Sequence, residues 1–504
     1  MCHLVIYIMP FLEVIRMNTL IDYCMKKEHL NRVVISTFDH DYTVQDIEQL
    51  NNEFLDMLGP TSDLTGKRVA LLVPQTLAYI SLVFVINKLG GTVIPLSPQH
   101  REGDLSAILS SASPHMIFTI KHLNGMPYSD VMKEWIRGNN AECTLFESEE
   151  GMDWKRTDFE GKQAVKDTFD RHFILFTSGS TGVPKGVVMG QEVIIHHMGI
   201  IPRLINGQEG DRYLHIPPQT VAFGLVGILC AIHLGYRVAI PNQFDLPKIM
   251  NMMNRVGVQK VVSTPSILKG MYNLSKAIDP LVFQNIKECY LAGEMVNPGE
   301  VNEFTLMEKT KFIGVYGITE AGGIMTCDLR GELEWDVDEV YQFKVVEEEL
   351  FLKSPAIFTC YYNQLGMTKE VLQEDGWFQT GDLAYLTPEH KVVIQGRKKD
   401  VIKKGGQQVI PGEVEKTLEN YKSVKQAAVI GAPHSVYGEQ VVAYIVAEQD
   451  VNTKELYHYC ANKIAAYKVP DHIELIDEIP MTSGKTDKNT LRKRFKNKEK
   501  TLKK

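Results

Sequence analysis

Ten residues in the first half of the chain carry its densest chemistry. Thr177-Ser178-Gly179-Ser180-Thr181-Gly182-Val183-Pro184-Lys185-Gly186 sets four hydroxyls, three glycines and a lysine in one run. Glycines let backbone N–H groups turn toward an anion, hydroxyls add donors, and a lysine adds a mobile positive charge. That set suits a chain of phosphates. It is not a Walker loop, which needs Gly-Lys-Ser/Thr, whereas Lys185 stands between Pro184 and Gly186. A flexible surface loop is the plain alternative. The apolar lead-in Phe173-Ile174-Leu175-Phe176 argues instead for a loop leaving the end of a buried strand.

Three later strands also run into polar or glycine-rich chemistry: Lys260 to Ser266, Cys289 to Glu294, and Phe312 to Glu320. In open α/β sheets, ligands gather at the carboxyl ends of strands. Two other clusters invite a metal reading and do not sustain it. His196 and His197 are adjacent on an expected helix, so their side chains diverge and no third ligand is near in sequence. The acidic residues Glu147, Glu149, Glu150 and Asp153 read as a solvated surface.

The elements around these residues alternate in type. A helix is expected from Thr43, with Thr43 as its cap and Asp46 three residues on. Arg68–Val73 reads as a buried strand ending at Pro74, Leu77–Leu89 as an apolar helix stopped by Gly90-Gly91, and Thr92–Leu96 as the next strand. Strand–helix–strand order points to an α/β unit with a parallel sheet. Residues 121–170 are mixed, polar and poorly patterned. Leu225, Val226, Ile228 and Leu229 could line an apolar pocket or be plain core.

At 504 residues the chain is too long for a single core, and two to four structural units are expected. A net charge of −8 offers no broad basic field, so nucleic acid is not an expected partner. The eight cysteines include no Cys-x-x-Cys pair and fit a reduced, cytoplasmic protein better than a disulfide or zinc framework. Residues 1–16 read as an uncertain extension: apolar, but broken by Pro10 and Glu13 and too short to span a bilayer. No later stretch reaches transmembrane length. The basic tail from Arg492 reads as a solvated end.

The loop at Thr177–Gly186 resembles the phosphate-loop signature of the adenylate-forming superfamily, which contains acyl-CoA synthetases, peptide-synthetase adenylation domains and luciferases. Three more segments resemble family motifs in order: Tyr316-Gly317-Ile318-Thr319-Glu320, Gly376–Asp382 with its Thr-Gly-Asp, and Pro480–Lys488. The resemblance implies an α/β fold: a large N-terminal domain of parallel and mixed sheets with flanking helices, residues 17–399, and a small mobile α+β domain, residues 400–504. It implies that Thr177, Ser178, Gly179, Ser180, Thr181, Gly182 and Lys185 hold the phosphates of ATP. Tyr316 would stack on adenine beside Gly317, with Gly293-Glu294 as the adenine-facing segment. Thr319 would donate to the α-phosphate and Glu320 would hold Mg²⁺, which takes hard oxygen ligands beside phosphate oxygens. Asp382 would accept from the ribose hydroxyls, as an ionised carboxylate can, with Arg397 beside it. Asp400 matches the hinge pivot, and Lys485 the catalytic lysine that can reach a pentavalent phosphorus.

The segment from Gly405-Gly406 to Glu415 is more similar to CoA ligases than to peptide-synthetase domains. The implied reaction joins a carboxylic acid, fatty or otherwise aliphatic, to ATP as an acyl-adenylate and then to CoA. One alternative loads a carrier protein's phosphopantetheine, and another is a non-catalytic adenylate-binding protein. A luciferase-like oxygenase shares the fold without positive support. The segment Ile216–Gly224 matches the family's acyl-gate region poorly, with Val221 where an aromatic or His often sits. Whether the protein pairs as a homodimer is left open.

Overall fold

The expected strand–helix alternation is realised in two sheets that share one core. A computed structural model of the chain describes residues 19–177, 184–294, 301–447, 451–482 and 485–502. The uncertain extension at residues 1–16 lies outside the described residues.

Among the described residues, an eight-stranded sheet runs in spatial order Cys360–Tyr361, Lys185–Gly190, His172–Thr177, Thr92–Pro95, Arg68–Leu72, Met116–Ile120, Cys143–Ser148, Lys155–Phe159. Its centre is parallel: Arg68–Leu72 pairs parallel with both Thr92–Pro95 and Met116–Ile120. A nine-stranded sheet carries Arg212–His215, Lys260–Ser263, Glu288–Ala292 and Lys311–Ile318 as parallel neighbours. Side chains of a strand alternate between faces, and the burial follows: Val69 and Leu71 enter one core while Ala70 and Leu72 enter another.

The shared core takes Val69 and Leu71 from one sheet and Val34, Ile35 and Tyr213 from the other. The helices Thr76–Lys88 and Ala222–Leu234 are buried almost all round, as helices hydrophobic on every face must be. Leu225, Val226, Ile228 and Leu229 are buried in that core. The capping at Thr43 is present in both directions: Asp46 N donates to Thr43 Oγ1 and Thr43 N donates to Asp46 Oδ2.

Three expectations need correction. Residues 121–170 hold a helix, Tyr128–Gly138, and two strands, Cys143–Ser148 and Lys155–Phe159. The helix buries Val131, Met132, Trp135 and Ile136, a stripe diluted in sequence by its polar opposite face. Glu147 is not solvated; it is buried and paired to Lys133 at 2.8 Å, because its strand lies under that helix. The basic tail is not a free end either. It forms the helix Lys488–Leu502, which buries Leu491 and Phe495 and ties Arg494 and Lys498 to Glu474.

A four-stranded antiparallel sheet (Gln342–Val346, Glu349–Lys353, Phe378–Leu386, Val392–Arg397) precedes a five-stranded one at the C-terminal end. In the latter, Val441, Ala443 and Ile445 face one small core while Val442 and Tyr444 face another, closed by the C-terminal helix. The short turn Lys398–Asp400 leads from the first sheet to the second, and the helix Pro411–Glu419 follows the second sheet's strand Gln407–Val409, opening at the proline as the sequence predicts.

Candidate active site

Strand ends bring the candidate residues together. Thr177 closes one strand and Lys185 opens the next, and the two are opposite partners in an antiparallel register. The loop residues Ser178, Gly179, Ser180, Thr181 and Gly182 lie outside the described residues. The adjacent sheet sends Ala292 and Ile318 out at its carboxyl edge, since Glu288–Ala292 and Lys311–Ile318 run parallel. Gly293 and Glu294 follow the first; Thr319 and Glu320 follow the second, in the turn before Gly322–Asp328.

That turn is tight. A bulge separates Tyr316 from Gly317, and a Cβ on Gly317 would stand 2.3 Å from the carbonyl oxygen of Gly322. Only glycine fits such an approach. The turn is held from outside by Phe358 N, which donates to Glu320 O at 2.7 Å, and by the Tyr341 hydroxyl, which donates to Ala321 O at 2.5 Å. Behind it lies His197, whose Nε2 is 2.8 Å from Ala356 O. Burial lowers the His197 imidazole to about 4, so it stands neutral.

The Glu320 carboxylate accepts from the Tyr361 hydroxyl at 2.7 Å through Oε1. The Lys185 ammonium lies over the same tyrosine ring, 4.7 Å from its centroid. Burial raises the Tyr361 phenol, and the Glu320 carboxylate beside it raises it further. Tyr361 is the residue that sequence reasoning missed. It lies 41 positions from Glu320 in a short strand of two residues, and nothing local marks it.

A second cluster adjoins the first. Tyr316 donates its hydroxyl to Asp382 Oδ2, and Arg397 Nε lies 2.8 Å from Asp382 Oδ1. Arg397 also donates to Thr380 O at 3.1 Å, across the strand pair in which Asp382 and Arg397 are register partners. The Asp382 side chain is 4% exposed and that of Arg397 38%, so the cation faces solvent and the carboxylate does not. Burial, with the Asp382 charge alongside, pushes the Tyr316 phenol well above its ordinary value.

Glu294 is held at the start of the helix Pro265–Ile278, accepting from Ser266 N at 3.0 Å and Ser266 Oγ at 2.7 Å. Gly405 and Gly406, at φ +57° and +81°, form the turn joining Ile402–Lys404 to Gln407–Val409, a left-handed geometry that suits glycine. Asp400 accepts from Arg492 at 3.5 Å. Lys485 pairs with Thr482 in a two-stranded antiparallel ladder. Among the described residues, no group of three or more His, Cys, Asp or Glu side chains is arranged to hold a metal ion.

Lys185 on one sheet and Glu320 on the turn of the other are thus joined through Tyr361. The chain belongs to the AMP-binding enzyme family: the family's main model matches residues 26–356 and its C-terminal-domain model matches residues 413–485. Among curated relatives, it is 27% identical over 466 residues to the 2-succinylbenzoate–CoA ligase of Listeria monocytogenes, covering 90% of this chain and 94% of that one. It is 26% identical over 487 residues to the long-chain-fatty-acid–CoA ligase FadD13 of Mycobacterium tuberculosis, covering 92% and 95%. In fold it is similar to ATP-bound MatB from Rhodopseudomonas palustris, with a TM-score of 0.82, 20% identity and coverage of 95% and 99%.

Proposed function

We propose that the chain is an AMP-forming acyl-CoA ligase that activates a carboxylic acid with ATP and passes the acyl group to CoA. The observation that carries this reading is a pair of neighbouring contact groups. Lys185, Tyr361 and Glu320 form one group, and Tyr316, Asp382 and Arg397 another, both on neighbouring ends of separate sheets. The 2-succinylbenzoate and long-chain acids named for the relatives support acid activation without choosing the acid.

In the first half-reaction, a carboxylate oxygen bonds to the α-phosphorus of ATP and the bond from that phosphorus to the pyrophosphate oxygen breaks. Two anions must meet, so the donors of Thr177–Gly182 and the Lys185 ammonium offset charge on the phosphates. Thr319 donates to the α-phosphate, and Lys485 stabilises the charge that builds on the pentavalent phosphorus. Tyr316 supports the adenine and Gly293-Glu294 borders it. Asp382 and Arg397, already fixed to each other, meet the ribose.

Glu320 fits a Mg²⁺ ligand: it is a hard oxygen donor beside the phosphate loop, with Oε1 oriented by Tyr361. Bound there, Mg²⁺ would neutralise charge on the phosphate oxygens. In the second half-reaction the small domain, beginning near residue 400, turns about Asp400 and presents the Gly405-Gly406 hairpin. The CoA thiol loses its proton, its sulfur bonds to the acyl carbon, and AMP leaves.

CoA-dependent AMP release across a panel of acids tests this. The panel holds straight aliphatic acids of graded length, 2-succinylbenzoate and amino acids, with the thioester product identified by mass spectrometry. Straight aliphatic acids are expected to outperform amino acids. Preference for an amino acid, or loading of a carrier protein alone, would overturn the CoA-ligase assignment. No ATP consumed with any acid would overturn the enzyme.

A further inference from the structure

The segment Ala356–Tyr362 threads between the two halves of the site and touches both. Phe358 N donates to Glu320 O at 2.7 Å, Thr359 N to Val188 O at 2.8 Å, and Tyr362 N to Gly186 O at 2.7 Å. Its last residues pair with the strand that Lys185 opens, with Tyr361 opposite Val187. Alternate residues of a strand share a face, so Tyr361 is the diagonal neighbour of Lys185 on that face. The ring therefore lies under the Lys185 ammonium, 4.7 Å from centroid to Nζ, while the hydroxyl reaches Glu320 Oε1 at 2.7 Å. Tyr361 itself is 3% exposed and packs against Phe358, with ring centroids 4.8 Å apart.

We propose that Tyr361 is a positioning residue that sets the Glu320 carboxylate and the Lys185 ammonium at a fixed separation for the phosphates of the nucleotide. The inference rests on the roles proposed above for Glu320 and Lys185. Its two contacts are chemically distinct. The hydroxyl fixes the carboxylate rotamer, engages one oxygen and leaves the other for a metal ion. The ring face holds the lysine by a cation–π contact, which constrains it without using a donor. A tyrosine that merely filled the core would need neither.

The two contacts can be separated in the full-length protein. Tyr361→Phe keeps the ring and removes the hydroxyl; Tyr361→Leu removes both. Binding of ATP, without any acid, is measured by equilibrium dialysis in EDTA and across a Mg²⁺ titration. For Tyr361→Phe the Mg²⁺ concentration at half-saturation should rise roughly ten- to hundredfold, the loss of one hydrogen bond to a charged group, with ATP binding in EDTA unchanged. Tyr361→Leu should add roughly a two- to fivefold loss of ATP affinity in EDTA, through Lys185. If that variant fails to fold, the Mg²⁺ shift of Tyr361→Phe still decides.

Glu320→Gln and Lys185→Ala tell the two kinds of failure apart. Where these act on the Mg²⁺ dependence and on ATP binding in EDTA respectively but Tyr361→Phe shifts nothing, Tyr361 is only core and the proposal falls alone. Where neither acts, the proposal falls together with the roles of Glu320 and Lys185. Equal losses from Tyr361→Phe with and without Mg²⁺ also overturn it, because a general loosening would look like that.

Discussion

Lys485 and Asp382 contribute in different ways, and their variants should fail differently. On the proposed mechanism, replacing Lys485 with alanine removes a charge wanted only when negative charge builds on phosphorus. Adenylate formation, read by ATP–pyrophosphate exchange, should slow about 100-fold or more. Thioester formation from a supplied acyl-adenylate should be nearly unchanged; an unslowed exchange would sink the assigned mechanism. Asp382→Ala instead removes the shared acceptor of Tyr316 and Arg397. The buried phenol is left without that acceptor, and ATP affinity should drop by about 1–3 kcal/mol in a binding titration. Arg397, 38% exposed, can rehydrate but the phenol cannot, so the thermal midpoint should fall as well, by the equivalent of about 1–3 kcal/mol.

At the scale of elements, the turn after Lys311–Ile318 is the piece most exposed to small changes. Gly317→Ala would drive a methyl into the Gly322 carbonyl, 2.3 Å away, where the nearest atoms are all backbone and no flexible side-chain end can yield. It should cost about 1–3 kcal/mol by chemical denaturation and lower ATP–pyrophosphate exchange, because Thr319 and Glu320 ride on the same turn. A variant with wild-type stability and exchange would show that the turn can open without harm. The strands around the site were readable in the sequence because fully buried strands are continuous apolar runs. The helix Tyr128–Gly138 was not, since half its residues are polar and its apolar stripe is broken up in linear order. Glu147 misled for the same reason: a charge among charges reads as solvated until a helix lies over it with Lys133.

Over the whole molecule, buried neutral imidazoles tie stability to pH. Burial lowers His197, His215 and His115 from an ordinary 6.5 to about 4 each. Above pH 6.5 both folded and unfolded states hold them neutral, and their contribution is complete. Between 6.5 and 4 the unfolded chain takes up protons that the folded chain refuses, so stability falls as pH falls. The thermal midpoint should therefore decline across that window, with roughly 1–3 kcal/mol from each fully buried ring. His215→Gln should flatten part of the decline; an unchanged slope would show that His215 does not supply it.

What the linear chain determined was chemistry and local form. Residue types suited to phosphate and a carboxylate after a strand marked Thr177–Lys185 and Phe312–Glu320 locally, while Thr380–Asp382 stood out through its resemblance to a family motif. What only folding decided was who touches whom. The hydroxyl that reaches Glu320 comes from a two-residue edge strand, and the partner of Tyr316 lies 66 positions away. Such pairings follow from sheet register and from the layering of two sheets over one core. These are long-range properties, and no window of neighbouring residues contains them.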